Sequence, residues 1–328
     1  MTSDPHTTVK LGTRGSQLAL VQARMVGALI RERTGARCEN VIIRTSGDRL
    51  AEASLSEIGG KRLFVKEIED ALLAGDVDLA VHSSKDMPAV LPDGLAIGAV
   101  LPREDPRDVM VLAEGAPVHA SLESLIRALG NAPRIGTSSV RRTAQLARLF
   151  TKARFTPIRG NLDTRMRKLD SGDYDALVLA AAGLRRLEHG HRVSAALPID
   201  ACVPAPGQGI VAVEIRTGDD RMRELLSAID DAPAAAALNA ERAVVERLGG
   251  GCQMPIGAYA RITDTNVQVT AVVISLDGTR VVRAEATGTT RDPAEAGVDA
   301  ATRLLAEGAD AILAEARRAA SVVEGLQP

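Results

Sequence analysis

The first two thirds of the chain alternate short aliphatic runs with segments of helical periodicity. Val9 to Leu11 is followed by the helical pattern of Ser16 to Arg33, and Val41 to Arg44 by that of Phe64 to Leu73. Such alternation is typical of α/β units. The first helical pattern begins with a residue suited to an N-cap and is followed by Gly35, which is suited to a C′ position. The alternation therefore predicts α/β domains.

Two proline-containing segments interrupt this alternation, Leu101 to Pro106 and Val203 to Gly209. Both predict hinges between domains. After Asp230, an alanine-rich helical stretch leads through three glycines into alternating strands, which predicts a third, α+β domain. We expect a discontinuous first domain of residues 1–101 and 207–230, a second of residues 106–203 and a third of residues 231–328.

Two loops in this pattern share a short motif. Leu11-Gly12-Thr13-Arg14-Gly15-Ser16 and Ile135-Gly136-Thr137-Ser138-Ser139 both place Gly-Thr after a strand and Ser before a helix. One explanation is chance. The other is that two similar α/β domains face each other across a cleft, with helix N-termini that can bind carboxylate or phosphate.

Composition limits the partners that this chain can have. The net charge is -2, aromatic residues make up 2% and Trp is absent, so neither a general basic field nor stacking platforms favour nucleic acid. We find no secretory leader and no run of about 18 apolar residues, and we expect a cytoplasmic protein without a membrane segment. The spacing of Cys38, Cys202 and Cys252 suggests neither a zinc site nor a disulfide framework.

Basic side chains dominate the stretch from Arg134 to Lys168, in which Asp163 is the single acid. A solvated face is the ordinary explanation of such a run. However, Arg141 and Arg142 follow a predicted helix start, where cations oppose the helix macrodipole, and a bound anion would relieve that conflict.

A second arginine pair lies further along the same stretch. Arg159 and Arg165 flank a predicted strand-to-helix turn, where two guanidinium groups can bind carboxylates in bidentate fashion. We favour a ligand role for both arginine pairs.

The segment Val81-His82-Ser83-Ser84-Lys85-Asp86-Met87-Pro88 ends a predicted buried strand with a Lys-Asp pair. A surface salt bridge is one interpretation. The other is a ligand site, because strand ends in α/β sheets bind ligands and an ionised carboxylate there can face a cation or an N–H donor. We interpret His82 as structural rather than catalytic.

Cys252 lies on a glycine-rich loop, Gly249 to Gly257. Its thiol could be a nucleophile, an attachment point or an incidental turn residue, and the ordinary thiol pKa of about 8.5 does not decide between them. No histidine lies nearby in the sequence to act as its base, which disfavours a cysteine protease.

These motifs together resemble the porphobilinogen deaminase family, also called hydroxymethylbilane synthase. They occur in the family's order and with compatible spacing, from about Val9 to Gly257. The motifs are Thr13 to Ser16, Gly59 to Glu67 with Phe64, Val81 to Pro88, Gly136 to Arg142, Arg159 to Arg165 and Gly250 to Gly257.

The resemblance implies a transferase of tetrapyrrole and heme biosynthesis, which joins four porphobilinogen molecules head to tail with loss of ammonia to give hydroxymethylbilane. It implies a dipyrromethane cofactor, held by a thioether at Cys252, that primes the chain. Asp86 matches the catalytic carboxylate that contacts pyrrole N–H groups and stabilises a cationic azafulvene-like intermediate. The implied fold has two periplasmic-binding-protein-like α/β domains around a hinged cleft and a smaller C-terminal α+β domain, and the implied state is a monomer.

The resemblance also implies which residues bind the cofactor and the substrate carboxylates, and it implies no metal site. These residues are Arg14, Ser16, Phe64, Ser83, Lys85, Thr137, Ser138, Ser139, Arg141, Arg142, Arg159, Gly160, Arg165 and Gln208. Phe64 would lie in or beside a mobile loop, Thr45 to Lys61, that covers the cleft.

Two alternatives come from other classes of protein. A non-catalytic anion-binding protein can share two α/β domains around a hinge, so fold alone does not separate it from an enzyme. In such a protein, however, Cys252 and the third domain would have no purpose. A cysteine-based transferase acting on another acidic substrate is the second alternative, and it would lack a permanently bound pyrrole adduct.

Overall fold

The computed structural model describes residues 8–45, 65–119, 121–250 and 254–325. The chain divides into two compact units, one of residues 1–104 with 210–235 and one of residues 105–209 with 236–328. Two of the three points at which the chain changes unit, 104/105 and 209/210, lie within or directly beside the proline-containing segments, and the third is at 235/236. The role of these segments as hinges and the predicted domain boundaries stay predictions.

The first unit is built on a five-stranded mixed sheet. Its elements are β1 (Val9–Thr13), β2 (Cys38–Ile42), β3 (Leu79–Ser83), β4 (Leu95–Val100), β10 (Val211–Arg216), α1 (Gln17–Thr34), α2 (Lys66–Ala74), α7 (Asp220–Ser227) and a 3-10 turn (Ser84–Asp86). The strand order is β2-β1-β3-β10-β4, with β1, β2 and β3 parallel and β10 antiparallel to both of its neighbours. Helices α1 and α7 pack on one face of the sheet, and α2 packs on the other.

The caps of α1 agree with the sequence prediction. The side chain of Ser16 accepts a hydrogen bond from the Ala19 amide, and Gly35 ends the helix at φ 75°, in the left-handed region that favours glycine. The predicted N-cap and C′ glycine are confirmed.

The second unit contains another five-stranded mixed sheet. Its elements are β5 (Asp108–Val111), β6 (Arg134–Gly136), β7 (Arg154–Thr156), β8 (Ala176–Ala180), β9 (Ala195–Ala196), α3 (Leu122–Leu129), α4 (Val140–Leu146), α5 (Leu162–Asp170), α6 (Ala181–Arg186) and a 3-10 turn (Gly190–Arg192). The strand order is β7-β6-β8-β5-β9, with β6, β7 and β8 parallel and β5 antiparallel to both of its neighbours.

The two sheets have the same topology, which confirms that the repeated Gly-Thr motif marks two similar domains. Gly12 pairs with the second residue of β3, and Gly136 pairs with the second residue of β8. Both glycines also have a packing reason. A Cβ at Gly136 would lie 2.9 Å from the Tyr174 ring, and a Cβ at Gly12 would lie 3.1 Å from Val77, a residue two positions before its strand as Tyr174 is before β8.

The C-terminal part of the second unit is an antiparallel three-stranded sheet with helices. Its elements are β11 (Ile256–Thr263), β12 (Asn266–Ile274), β13 (Val281–Thr289), α8 (Ala232–Arg247), α9 (Pro293–Ala306) and α10 (Ala309–Gly325). The buried carboxylate of Glu241 on α8 accepts hydrogen bonds from the amides of Gly207 (2.6 Å) and Ala260 (2.7 Å). The predicted fold class of two α/β domains and a smaller α+β domain is confirmed.

Candidate active site

The predicted catalytic carboxylate stands at the end of the central strand β3. The strand is buried up to His82, and the chain then turns through the 3-10 turn Ser84–Asp86. The amide of Ser84 donates to the carbonyl of Ile210 at 3.0 Å, which continues the pairing between β3 and β10 beyond the strand end. Asp86 is exposed, so a carboxylate is presented to solvent by a turn whose base is fixed.

Other predicted binding residues of the first unit lie at the same edge of its sheet. Arg14 and Ser16 follow β1, the parallel neighbour of β3, and parallel strands carry their carboxyl ends to one edge. The hydroxyl of Ser83 lies 2.9 Å from Nε2 and 3.1 Å from Oε1 of the Gln22 amide on α1. Lys85 and Arg14 are half-buried. The first unit thus brings Arg14, Ser16, Ser83, Lys85 and Asp86 to one edge.

In the second unit, the turn between β6 and α4 is held by its own hydroxyl groups. Thr137 Oγ1 accepts from the Ser139 amide at 3.2 Å, and Ser139 Oγ accepts from the Arg142 amide at 3.4 Å as the N-cap of α4. Ser138 Oγ donates to the carbonyl of Ile158 at 2.7 Å and accepts from its amide at 3.0 Å. These side chains therefore shape the loop, and their predicted contact with a ligand stays a prediction.

Arg141 and Arg142 are buried and share one carboxylate, that of Asp108 at the start of β5. Arg141 Nη1 donates to Asp108 Oδ2 at 2.7 Å and to the carbonyl of Val203 at 2.7 Å. Arg142 Nε and Nη2 donate to Asp108 Oδ1 at 3.0 and 2.7 Å, and its Nη1 donates to the carbonyl of Val178 at 2.9 Å.

Two neutral side chains complete this group, which we call the Asp108 cluster: Asp108, Arg141, Arg142, Cys202 and Gln208. Gln208 Nε2 donates to Asp108 Oδ1 at 2.9 Å, and Cys202 Sγ donates to Oδ2 at 3.4 Å. Burial alone would raise the pKa of Asp108, but the charges of both arginines and the hydrogen bonds outweigh burial and hold it well below its ordinary value. Burial and the nearby Asp108 charge raise the pKa of Cys202 to about 12.

The cluster corrects the reasoning from the helix dipole. The conflict between two cations and the start of α4 is relieved inside the protein, because Asp108 supplies an anion, so this conflict does not itself indicate a ligand. Sequence reasoning missed Asp108. The available signal was an acidic residue directly before the apolar run of a buried strand.

Arg159, Gly160 and Arg165 lie beyond β7, the parallel neighbour of β6, and therefore at the same edge as the turn into α4. Gly160 has φ 104°, and a Cβ there would lie 2.7 Å from the Thr164 side chain, so the position requires glycine. Arg165 Nε donates to the Gly160 carbonyl at 2.9 Å. Both arginines are half-buried, and Asn161 caps α5 through the Thr164 amide.

Two predicted site residues, Phe64 and Cys252, lie outside the described residues, as does nearly all of the predicted loop from Thr45 to Lys61. Within the described ranges, no group of histidine, cysteine and carboxylate side chains could hold a metal ion. None of the helices described there is long and apolar enough to cross a membrane.

Comparison with known proteins identifies the chain's relatives. Residues 9–224 match the family "Porphobilinogen deaminase, dipyromethane cofactor binding domain", and residues 235–306 match "Porphobilinogen deaminase, C-terminal domain". The chain is 48% identical to the porphobilinogen deaminase of Moorella thermoacetica over 97% of its own length and 99% of that protein. It is 43% identical to that of Synechococcus elongatus, over 96% and 97% of the two chains.

Similarity to solved structures is weaker. Substrate-binding domain 2 of Lactococcus lactis GlnP matches with a TM-score of 0.43 and 12% identity, over 70% of this chain and 90% of that one, which supports no conclusion by itself. The family matches cover both α/β domains and the C-terminal domain, and they agree with the site residues gathered at the two sheet edges. The chain belongs to the porphobilinogen deaminase family.

Proposed function

We propose that the protein joins four porphobilinogen molecules head to tail, with release of ammonia at each step, to form the linear tetrapyrrole hydroxymethylbilane. The proposal follows the family and its full-length relatives named porphobilinogen deaminase. We propose further that the enzyme works as a cytoplasmic monomer, without nucleic acid or a membrane as partner. The family match does not favour a non-catalytic anion-binding protein.

The observation that carries the proposal is the charge balance of the Asp108 cluster. Two buried guanidinium groups share one carboxylate, which leaves one positive charge in excess within the hydrogen-bonded group. Buried charge is normally compensated, and a carboxylate of the ligand would compensate it. Porphobilinogen carries an acetate and a propionate group, so cofactor, substrate and growing chain are all polyanions.

The remaining donors of Arg141 suit that role. In the described part of the chain, its hydrogen bonds all leave from Nη1, toward Asp108, Cys202 and Val203. With Nη1 held in this way, the orientation of the guanidinium plane is fixed before a ligand arrives, and its other N–H groups can donate to a carboxylate. Asp108 therefore preorganises the arginines rather than competing for them.

Asp86 is the proposed catalytic residue. An exposed carboxylate on a turn fixed at its base can contact pyrrole N–H groups and lower the energy of the cation that develops on the substrate as ammonia leaves. Lys85 and Arg14, at the same edge of the sheet, are proposed to bind acidic groups of the ligand.

The dipyrromethane group supplies a pyrrole carbon nucleophile that starts each chain. Cys252 is proposed to hold it by a thioether, a bond that has to form once and needs no base at each turnover. The donor set fits such a group, because the surplus positive charge of the Asp108 cluster and the half-buried Arg159 and Arg165 suit a polycarboxylate.

The test is incubation of the purified protein with porphobilinogen while ammonia and linear tetrapyrrole are quantified. We expect four ammonia molecules per tetrapyrrole, and we expect Asp86→Asn to abolish turnover because it removes charge but not shape. Asp70→Asn is the matched control, since it removes an exposed acid of α2 in the same unit. Turnover of Asp86→Asn at the wild-type rate would return Asp86 to a structural role, and the absence of ammonia release by the wild type would overturn the function.

A further inference from the structure

A second pair of buried ionisable side chains lies in the first unit, beneath the turn that carries Asp86. His82 Nε2 on β3 lies 3.2 Å from Glu214 Oε2 on β10, and the exposed fractions of the two side chains are 3% and 0%. Within the described residues, neither His82 Nε2 nor either Glu214 oxygen makes a hydrogen bond, so the two side chains are in close contact at ion-pair distance without hydrogen-bond geometry. The function proposed above does not use this pair.

Such a pair is costly to bury. A carboxylate or an imidazole that is removed from solvent loses its hydration, and this loss is offset only by well-aligned partners. Apolar residues of similar size would often serve stability equally well at a buried position. The presence of the pair therefore calls for a reason other than stability.

The second unit shows what the same positions hold when no such reason exists. The register of β10 on β3 matches that of β5 on β8, so His82 corresponds to Leu179 and Glu214 to Val111. Leu179 and Val111 belong to an ordinary apolar core. The fold itself thus does not require a polar pair.

The following turn differs between the units in the same way. After β3 the chain continues into Ser84-Lys85-Asp86, whereas after β8 it continues into Ala181-Ala182-Gly183 of α6. The buried pair is present under the turn that carries the proposed catalytic carboxylate and absent under the turn that carries none.

The contact between His82 and Glu214 also depends on the register of β10 against β3. His82 is directly opposite Ala212, and Glu214 is opposite Ala80, so the two side chains lie diagonally on one face of the sheet. On its other side, β10 meets β4 with a register shift between Val213 and Glu214. The pairing with β4 is irregular at this point, and the contact between Glu214 and His82 would be lost if β10 slipped by two residues along β3.

We propose that His82 and Glu214 are positioning residues, whose buried side-chain contact fixes the end of β3 on β10 and thereby places the Ser84–Asp86 turn for catalysis. The proposal rests on the proposed role of Asp86. On the opposite face of the sheet, Ser83 is held by Gln22, so the strand end directly before the turn is fixed from both sides.

The test is a double variant, His82→Leu with Glu214→Val, which copies the residues of the second unit. We expect a folded protein with an unchanged adduct mass and a similar KM, but with kcat lowered about tenfold to a hundredfold, because small displacements of catalytic groups have effects of that size. Unchanged kcat in the folded double variant would overturn the proposal.

Two further variants separate a loss of positioning from a loss of stability. Leu226→Ala on α7 weakens the same unit from the other face of the sheet, and it should lower the melting temperature without a matching loss of kcat. If the double variant does not fold, Glu214→Gln replaces it, because it keeps the shape while removing the charge. A loss of kcat no greater than that of Leu226→Ala at equal melting temperature would then overturn the proposal.

Asp86→Asn, measured in parallel, separates this proposal from the function on which it rests. Loss of turnover in Asp86→Asn together with full kcat in the double variant removes the positioning role alone. Full turnover in Asp86→Asn removes the role of Asp86 itself, and the positioning role with it.

Discussion

The two α/β domains bury ionisable groups at different points of the same sheet. The second unit places Asp108 at the first residue of its antiparallel strand, where the first unit has Val211. The first unit places Glu214 three residues further along its own antiparallel strand, where the second has Val111. Each domain thus has a buried polar group that its counterpart lacks, so neither group is required by the fold. We infer that Asp108 serves to position Arg141 and Arg142, and that Glu214 serves to position the turn that carries Asp86.

The largest effect is expected from Asp108→Asn. The change leaves two buried guanidinium groups without their carboxylate, and breaking a buried pair in this way costs about 3–5 kcal/mol. The free energy of unfolding, measured by urea denaturation, checks this. Asp175→Asn is the matched control, because the ion pair of Asp175 with Arg134 is exposed and should contribute little. Equal stability of the two variants would contradict the stabilising role that we assign to the buried ion pairs of Asp108.

The same carboxylate should contribute to acid sensitivity. Because the folded-state pKa of Asp108 is depressed, its stabilising contribution is present above about pH 3.9 and is lost as the pH falls below that value. The stability of the wild type should therefore fall more steeply than that of Asp108→Asn between about pH 4 and pH 2. If the free energy of unfolding falls with the same slope in the wild type and in Asp108→Asn, the acid sensitivity comes from other groups.

Replacing each of the two equivalent glycines, Gly12 and Gly136, by alanine should lower the free energy of unfolding by unequal amounts. A Cβ at Gly136 would lie 2.5 Å from Leu177 Cδ2, whereas one at Gly12 would lie 3.1 Å from its nearest neighbour, Val77. We expect Gly136→Ala to lower the free energy of unfolding by about 1–3 kcal/mol. The loss of stability in Gly12→Ala should be at or below the low end of that range. Thermal unfolding of both variants measures the difference, and a larger loss in Gly12→Ala would contradict the packing that we infer.

The smallest effect concerns thiol reactivity in the two units. With a pKa of about 12, Cys202 has a thiolate fraction of about 10⁻⁴ at pH 8, and it is buried in the Asp108 cluster. Burial also raises the pKa of Cys38, but Cys38 is half-buried on β2. Peptide mapping after iodoacetamide treatment should find Cys38 modified before Cys202. Early modification of Cys202 would mean that the cluster opens readily.

Much of the fold could be predicted from local patterns. The Gly-Thr repeat correctly indicated two similar domains, because at both Gly12 and Gly136 a neighbouring side chain lies too close to the strand for a Cβ to fit without displacement. The two-residue strand β9 was missed, because two alanines carry no strand periodicity. Helix α3 was not predicted either, although its capping box at Ser121 and Ser124 could have indicated its start.

The site could be predicted less completely than the fold. Motifs pointed to Arg141 and Arg142, but their partner Asp108 lies more than thirty residues away, and only tertiary pairing brings it to them. His82 was interpreted as structural without a partner being identified, because Glu214 is far along the chain. Contacts of this kind are set by strand register rather than by local sequence.

The central claim is that the protein is primed by a dipyrromethane bound covalently to Cys252. The intact mass of the denatured protein tests it most directly. We predict a mass above that of the sequence by one dipyrromethane unit, and a return to the sequence mass in Cys252→Ser. An unmodified mass for wild-type protein that makes tetrapyrrole, or an adduct that persists in Cys252→Ser, would contradict the claim.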